Sequence, residues 1–241
     1  MKTSRSLLSW AVVASVFVAG YGFHSAVAQQ APVPAAAQGA EKLPPDVFSD
    51  TLNRSPQATR DEFTTDDDKA AYDRAVGPRG NGFLGGWNGI RLHIPVVMMA
   101  YRTAIQTLDK EDDGGMSRYQ QLAMLIGARE CDDELDWNNH EKMSEKVIPP
   151  EVVDVLRNRK DTKGLEEKDA VMIQFGREMF EHHKVSSKSF ADLERLFGRR
   201  RAYAIIQTMI FFNGSGNLLH AYDQHLAPGE KHPFEGVAPI S

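Results

Sequence analysis

The sequence has one cysteine and no excess of positive charge, and both facts narrow the functions to consider. Cys131 is the single cysteine among 241 residues, which excludes an internal disulfide framework and a metal clip made of two cysteines. Lysine and arginine number 28 against 33 aspartates and glutamates, so the formal net charge is −5. Such a chain would release few phosphate counterions, and we therefore expect no nucleic-acid partner.

Long apolar runs are also scarce, and the one at the N-terminus predicts an export signal. Lys2 and Arg5 precede an uncharged, largely apolar stretch at residues 7–23, and the Ala-Val-Ala sequence at residues 26–28 resembles a cleavage site. A retained membrane anchor is the alternative, but the stretch is short for a span. We predict an exported protein, periplasmic or secreted after cleavage near Ala28, without a stable membrane anchor.

Alternating strand patterns are scarce as well, and helical spacing dominates the chain after the signal. Residues 29–66 contain an Ala/Pro/Gln tract and a mixed polar segment, which we interpret as a linker and an N-terminal extension. Apolar residues then recur at helical spacing over residues 67–230, and residues 231–241 form a tail. We predict a single all-α domain of about six to eight helices.

Caps and breaks predict where individual helices begin. Pro95 and the Pro149-Pro150 pair are typical of first helical turns, and Ser117 is a plausible N-cap. Asp132 or Asp133 is a plausible cap for the following helix. These positions predict helix starts close to residues 95, 118, 134 and 150.

The glycine-rich segment at residues 77–89 has two possible interpretations. A phosphate-binding loop is one of them, but no strand precedes the segment and no GKS or GKT sequence follows it. We therefore interpret the segment as a flexible loop at the entrance to a site.

Several short motifs follow one another at spacings typical of one protein family. In chain order they are Gly77-Pro78, Ile94-Pro95, Leu122-Ala123-Met124-Leu125, Ala128-Arg129, Asp136-Trp137-Asn138-Asn139-His140, Arg177-Glu178, Phe197-Gly198, Ala221-Tyr222-Asp223 and Pro228-Gly229. Their order resembles the carboxymuconolactone decarboxylase family of the alkylhydroperoxidase D-like superfamily. The resemblance implies an alkylhydroperoxidase D-like helical bundle that needs no metal or cofactor. It also implies a homo-oligomer whose site lies between helices near a subunit boundary.

The peroxidase chemistry of this superfamily is not expected here. Its redox members use a Cys-x-x-Cys pair, and the matching positions before His140 are Asp133 and Asp136. A thiol peroxidase needs a thiolate and a second thiol to resolve the sulfenic acid. Cys131 stands alone among acidic neighbours that should raise the pKa of its thiol. We interpret it as a small, partly buried residue, and a hydroperoxide-handling role through Cys131 is the weakest functional alternative.

Decarboxylase chemistry needs a proton donor, and His140 is the candidate for it. Loss of CO2 from a lactone acid leaves an electron-rich dienolate, which a general acid must protonate. The resemblance implies that His140 is this acid, with Asp136 one helical turn away, orienting the ring and raising its pKa. Trp137 would form an apolar pocket wall on the same side. The alternative is a structural core histidine capped by Asp136.

Two positions depart from the family pattern, and three further residues are candidates for substrate contact. Gln121 stands where the family commonly has a glutamate, and an amide can hold a substrate oxygen but cannot exchange a proton. His220 stands where many members have asparagine, and it is either a second titrating group or a pocket wall. Asp133, Arg91 and His93 are the remaining candidates for substrate binding, the last two for an anionic substrate.

These observations predict a cofactor-free lyase or related acid/base enzyme. Its partner would be a small organic acid or lactone. The first alternative is a non-catalytic binding or assembly protein on the same scaffold.

Overall fold

A computed structural model describes residues 43–77, 85–112 and 117–237, and regular structure within these ranges is helical. The prediction of an all-α fold is confirmed. The predicted signal peptide, the Ala/Pro tract to residue 42 and the last residues of the tail lie outside the described residues. None of the helices in the described ranges is long and apolar enough to cross a bilayer.

Nine α-helices lie in the described ranges. They are α1 (Asp66–Val76), α2 (Gly86–Arg91), α3 (Pro95–Asp109), α4 (Arg118–Arg129), α5 (Glu134–Ser144), α6 (Pro150–Arg157), α7 (Glu167–Glu181), α8 (Ser187–Phe197) and α9 (Arg199–Ala221).

Local chemistry explains where several of these helices begin. The side chain of Ser117 accepts a hydrogen bond from the backbone N–H of Gln120, and Asp133 caps α5 in the same way. Proline occupies the first turn of α3 and α6, where its missing N–H costs no helical hydrogen bond. The predicted starts of α3, α4, α5 and α6 are therefore confirmed.

Helix α4 lies at the centre of the main core. Its residues from Gln120 to Arg129 are all buried, and it packs most extensively on α9, then on α5 and α7. Gly127 lets α4 and α9 approach closely, since an added Cβ would lie 2.5 Å from the carbonyl oxygen of Met209. The three helices α4, α5 and α9 position the residues of the candidate site.

The interpretation of residues 77–89 as a loop is wrong for the part that forms α2. Ile90 in this short helix and Leu92 directly after it are buried, and α2 packs on α3 and α9. Gly86 adopts a φ of +56° beside Leu135, a backbone conformation that side chains other than glycine rarely take. Burial against neighbouring helices thus stabilises a helix that two glycines disfavour.

The segment before α1 packs on the domain as a strap, residues 46–58. The backbone N–H of Arg54 donates to the carbonyl of Tyr222 at 2.7 Å, and the N–H of His225 donates to the carbonyl of Leu52 at 2.8 Å. The side chain of Asn53 donates to Gln224 at 2.8 Å. This part of the N-terminal extension is therefore fixed to the end of α9.

The beginning of the tail also packs on the domain. The ring of Phe234 lies 5.2 Å from that of Trp137, and the guanidinium of Arg129 lies 4.7 Å from the Phe234 ring. The amide of Asn138 donates to the carbonyl of Lys231.

Candidate functional site

Two buried aspartates stand at the start of α5. Asp133 is its N-cap, and its Oδ1 accepts hydrogen bonds of 3.1 Å from the backbone N–H groups of Leu135 and Asp136. Asp133 and Asp136 are each 2% exposed. Within the described part of the chain, the Oδ2 atom of each carboxyl has no hydrogen-bond partner outside the pair. The turn from α4 into α5 thus buries two acids side by side.

Burial and mutual repulsion keep one proton on this carboxyl pair at neutral pH. Burial raises the pKa of Asp133 to about 6. Burial, followed by the charge of Asp133, raises the pKa of Asp136 well above its ordinary value, while Arg91 and the indole of Trp87 act in the opposite direction. Two carboxyls in such proximity titrate as a unit, so we assign the pair about one negative charge at neutral pH.

Arg91 of α2 supplies a cation beside the carboxyl pair, enclosed by aromatic rings. Its guanidinium lies 3.9 Å from the Tyr101 ring centroid and 4.9 Å from that of Trp87. Nη2 donates to the Ser215 hydroxyl at 3.2 Å. The Tyr101 hydroxyl donates to the carbonyl of Phe211 at 2.7 Å. Helices α2, α3 and α9 therefore fix the guanidinium from three sides.

His140 lies one helical turn beyond Asp136 on α5, and its neighbours come from α4 and α9. Its Nδ1 lies 3.2 Å from Gln121 Oε1, and its ring meets Phe212 edge to face at 4.8 Å between centroids. Because an amide oxygen only accepts, Nδ1 carries the proton and Nε2 holds the lone pair.

The expected rise in the pKa of His140 is wrong, because burial outweighs any effect of Asp136. Burial lowers the pKa of His140 to about 4, so the imidazole is neutral at neutral pH. The partner that orients the ring is Gln121, which we had assigned to the substrate. The structure thus brings Gln121 and His140 together, and it places them one helical turn along α5 from the carboxyl pair.

Trp137 belongs to the main core. It is fully buried, its Nε1 donates to Glu141 at 3.0 Å, and Arg157 lies 5.6 Å from its ring centroid. These contacts direct the indole towards α6 and the tail. Its predicted role as a substrate-pocket wall stays a prediction.

The two remaining histidines differ in their relation to the pair. His220 donates from Nε2 to the carbonyl of Cys131 at 2.7 Å, and it lies close enough to lower the pKa of Asp133. His93 contacts the strap instead, with Nε2 at 2.7 Å from Ser55 Oγ and 3.0 Å from the carbonyl of Pro56. His220 thus lies beside the pair, whereas His93 links α2 to the strap.

Cys131 is partly buried, and its sulfur packs against Gly216 of α9. Burial raises the pKa of its thiol, and the negative charge of Asp133 raises it further. The sulfur contacts the carbonyls of Gly127 and Ala128. The thiol is therefore protonated and unreactive at neutral pH, in agreement with the expected pKa direction.

A separate surface depression of about 430 Å³ opens between the C-terminal ends of α4 and α7 and the side of α9. It is lined by Glu130, Cys131, Asp132, Phe180, His183, Asn213 and Asn217. His140 and Asp136 do not line it.

Sequence reasoning missed the residues that enclose Arg91. Tyr101 and Ser215 lie in apolar helices, where the pattern indicates core rather than site. Trp87 lies within the segment interpreted as a loop. One signal was present, since Trp87 and Arg91 are four residues apart and would share a face if the segment were helical.

Comparison of the chain with protein-family models, curated proteins and solved structures gives no match. In the part of the chain that the structure describes, no group of three or more His, Cys, Asp or Glu side chains is placed to hold a metal ion.

Proposed function

We propose that this chain is a cofactor-free acid/base enzyme, similar to the carboxymuconolactone decarboxylases, that acts on a small carboxylated or lactone-type molecule. The observation that carries the proposal is the buried Asp133–Asp136 pair beside the enclosed guanidinium of Arg91. Burying two carboxyls and a cation costs several kcal/mol unless each is well partnered. Such arrangements cluster at functional sites.

The pKa directions divide the acid and base roles between the two ends of the site. Asp136 keeps its proton at neutral pH and can donate it, whereas His140 is neutral and can accept one. We therefore propose Asp136 as the proton donor, in place of His140 from the sequence argument. Gln121 fixes the ring so that the basic Nε2 is the free nitrogen.

In decarboxylation, the bond between a substrate carbon and its carboxylate breaks and its electron pair enters a dienolate. Protonation of a ring carbon by Asp136 completes the step, and CO2 leaves. Asp136 then recovers a proton from solvent. In a proton-transfer reaction without CO2 loss, His140 Nε2 would remove the proton that Asp136 replaces at another atom.

The test is a turnover screen of the purified protein with lactone acids, measured by loss of ultraviolet absorbance and release of CO2. Asp136→Asn should lower decarboxylation by roughly 10²–10⁴-fold, the usual contribution of positioned proton transfer, and His140→Gln should cause a loss of that size in a reaction without CO2 release. Glu145→Gln, an exposed change at the end of α5, serves as the control. Turnover that is unaffected by either site variant would refute the proposal.

A binding or assembly role is the second candidate, favoured by an uncharged exposed surface at the start of α3. Ile94, Val96 and Val97 are 57%, 41% and 52% exposed. Single exposed apolar residues are common on protein surfaces, but a group of neighbouring ones is typical of an interaction surface. A second copy of the chain would cover this surface in a homo-oligomer. Light scattering of the wild type and of Val97→Glu decides it, since a monomeric wild type removes this candidate.

A further inference from the structure

We propose that Arg91 binds the carboxylate of the substrate and that the Asp133–Asp136 pair takes up one proton as this carboxylate binds. The inference rests on the proposed function, because it places the substrate at the same cluster. It adds the group that recognises the substrate and a measurable change in protonation.

The geometry around Arg91 favours an anion as the missing partner. Nη2 is held by Ser215 and the faces of the guanidinium are covered by Tyr101 and Trp87. Within the residues described, Nη1 is buried and has no hydrogen-bond partner. A buried donor without a partner costs about 1–3 kcal/mol, and a carboxylate oxygen satisfies it with a charge-assisted bond.

The carboxyl pair offers the complementary groups. The Oδ2 atoms of Asp133 and Asp136 are buried and have no partner outside the pair among the described residues, and both side chains are more than nine-tenths buried. A protonated carboxyl there donates an O–H to a bound oxygen, whereas an ionised one repels it. The protonation state of the pair therefore controls whether an anion can enter.

Charge balance then requires a proton. The charged or titratable groups around the pair are Arg91 on α2, Tyr101 on α3, Cys131 and Asp132 in the α4–α5 turn, and His220 on α9. Before binding, the positive charge of Arg91 opposes the single negative charge that we assign to the pair. A substrate carboxylate brings a second negative charge, and uptake of one proton from solvent leaves the pair neutral and Arg91 matched to the substrate.

Calorimetric titration with benzoate, and with benzamide as a neutral molecule of the same shape, tests the proposal on the full chain. At pH 7, benzoate should bind with uptake approaching one proton, determined from the binding enthalpies in phosphate and in Tris buffer. The affinity for benzoate should fall about tenfold per pH unit above the pH at which the pair loses its first proton. Benzamide should bind at least tenfold more weakly and without proton exchange.

Variants identify the groups responsible. Arg91→Gln should weaken benzoate binding at least tenfold. Arg102→Gln, which removes another partly buried arginine from α3, should leave binding unchanged. Asp133→Asn should still bind benzoate but lose the proton uptake, because Asp133 is the carboxyl of the pair that is ionised before binding. Because proton uptake is measured on the unaltered protein, the test does not depend on the variants folding.

Absence of benzoate binding, binding without proton uptake, or equal binding by Arg91→Gln would each overturn the inference. The proposed function fails separately. If lactone acids are turned over in an Asp136-dependent reaction but benzoate binding takes up no proton, only this inference is wrong. If benzoate binds with proton uptake but no lactone acid is turned over, the site is a carboxylate-binding site without the proposed catalysis.

Discussion

At the scale of single residues, burial sets the charge of His140 and links it to stability. Its pKa in the folded chain is about 4, against an ordinary value of 6.5. Between these pH values the unfolded chain binds a proton that the folded chain does not. The stability contributed by the neutral imidazole is therefore complete above pH 6.5 and is lost as the pH falls towards 4.

His140→Gln should remove this loss of stability at acidic pH. Relative to wild type, the free energy of unfolding of the variant should rise as the pH falls from 7 to 4, by roughly 3 kcal/mol over the range. Urea denaturation of both proteins at several pH values measures the difference. His182→Gln, at an exposed histidine after α7, should show the wild-type pH dependence. An identical slope for His140→Gln would contradict the assignment.

Cys131→Ser should leave hydroperoxide turnover at background, as in the wild type. The thiol has a raised pKa and is largely protonated at neutral pH, so it lacks the thiolate that peroxidase chemistry needs. A coupled assay with a dithiol donor measures turnover, and the rate of thiol labelling in the native protein measures reactivity. A large Cys131-dependent peroxidase rate would revive the hydroperoxide alternative.

The residue-scale predictions from sequence were correct where local rules apply. Asp133 caps α5 because aspartate at that position satisfies free backbone N–H groups. The pKa direction of His140 was wrong because spacing along α5 places Asp136 nearby but does not show that the imidazole itself is buried. Burial of the ring is what lowers its pKa.

At the scale of elements, two glycines determine how closely α9 approaches its neighbours. At Gly127 an added Cβ would lie 2.8 Å from Cβ of Phe212 on α9. At Gly216 on α9 it would lie 2.7 Å from Cβ of Asp133 and would also collide with the sulfur of Cys131. Asp133 of the carboxyl pair thus packs directly against α9.

Gly216→Ala should destabilise the fold and disturb the site, whereas Gly214→Ala should not. A methyl group at residue 216 forces backbone shifts that typically cost 1–3 kcal/mol. At residue 214 an added Cβ meets nothing within 4 Å, so alanine should stabilise α9 by up to about 1 kcal/mol. Thermal unfolding of both variants measures the contrast. Equal melting temperatures would mean that the helices can separate without cost.

Most helices were predictable because their caps and apolar spacing are local properties. Helix α2 was not, since its six residues include Gly86 and Gly89 and give too short a pattern for helical periodicity. Its stability comes from burial of Ile90 against Leu135 and Leu219. Those partners are distant in sequence, and one chain read alone does not reveal them.

At the scale of the whole molecule, Gln224 fixes the N-terminal strap to the segment that follows α9. The side-chain amide of Gln224 accepts from Asn53 at 2.8 Å and donates to the carbonyls of Thr51 and Leu52 at 3.4 and 3.3 Å. The sequence indicated only a polar extension here, because the partners lie beyond the end of α9.

Gln224→Ala should release the strap and lower the free energy of unfolding by about 1–3 kcal/mol, since it removes the side-chain hydrogen bonds to three strap residues. Limited proteolysis should then cut within residues 46–58 faster than in the wild type. Gln174→Ala removes an exposed contact within α7 and should change stability by no more than about 0.5 kcal/mol. Equal cleavage rates in both variants would show that other contacts hold the strap.

The hydrogen bond between Asn53 and Gln224 spans 171 residues, and this has a consequence for the order of folding. The strap is synthesised before all nine helices, yet its binding surface exists only after the C-terminal end of α9 has formed. Closing so long a loop carries a large entropic cost until the intervening helices have shortened it by packing. The first part of the described chain to leave the ribosome therefore reaches its native position only after α9 has formed, and until then the end of α9 remains uncovered.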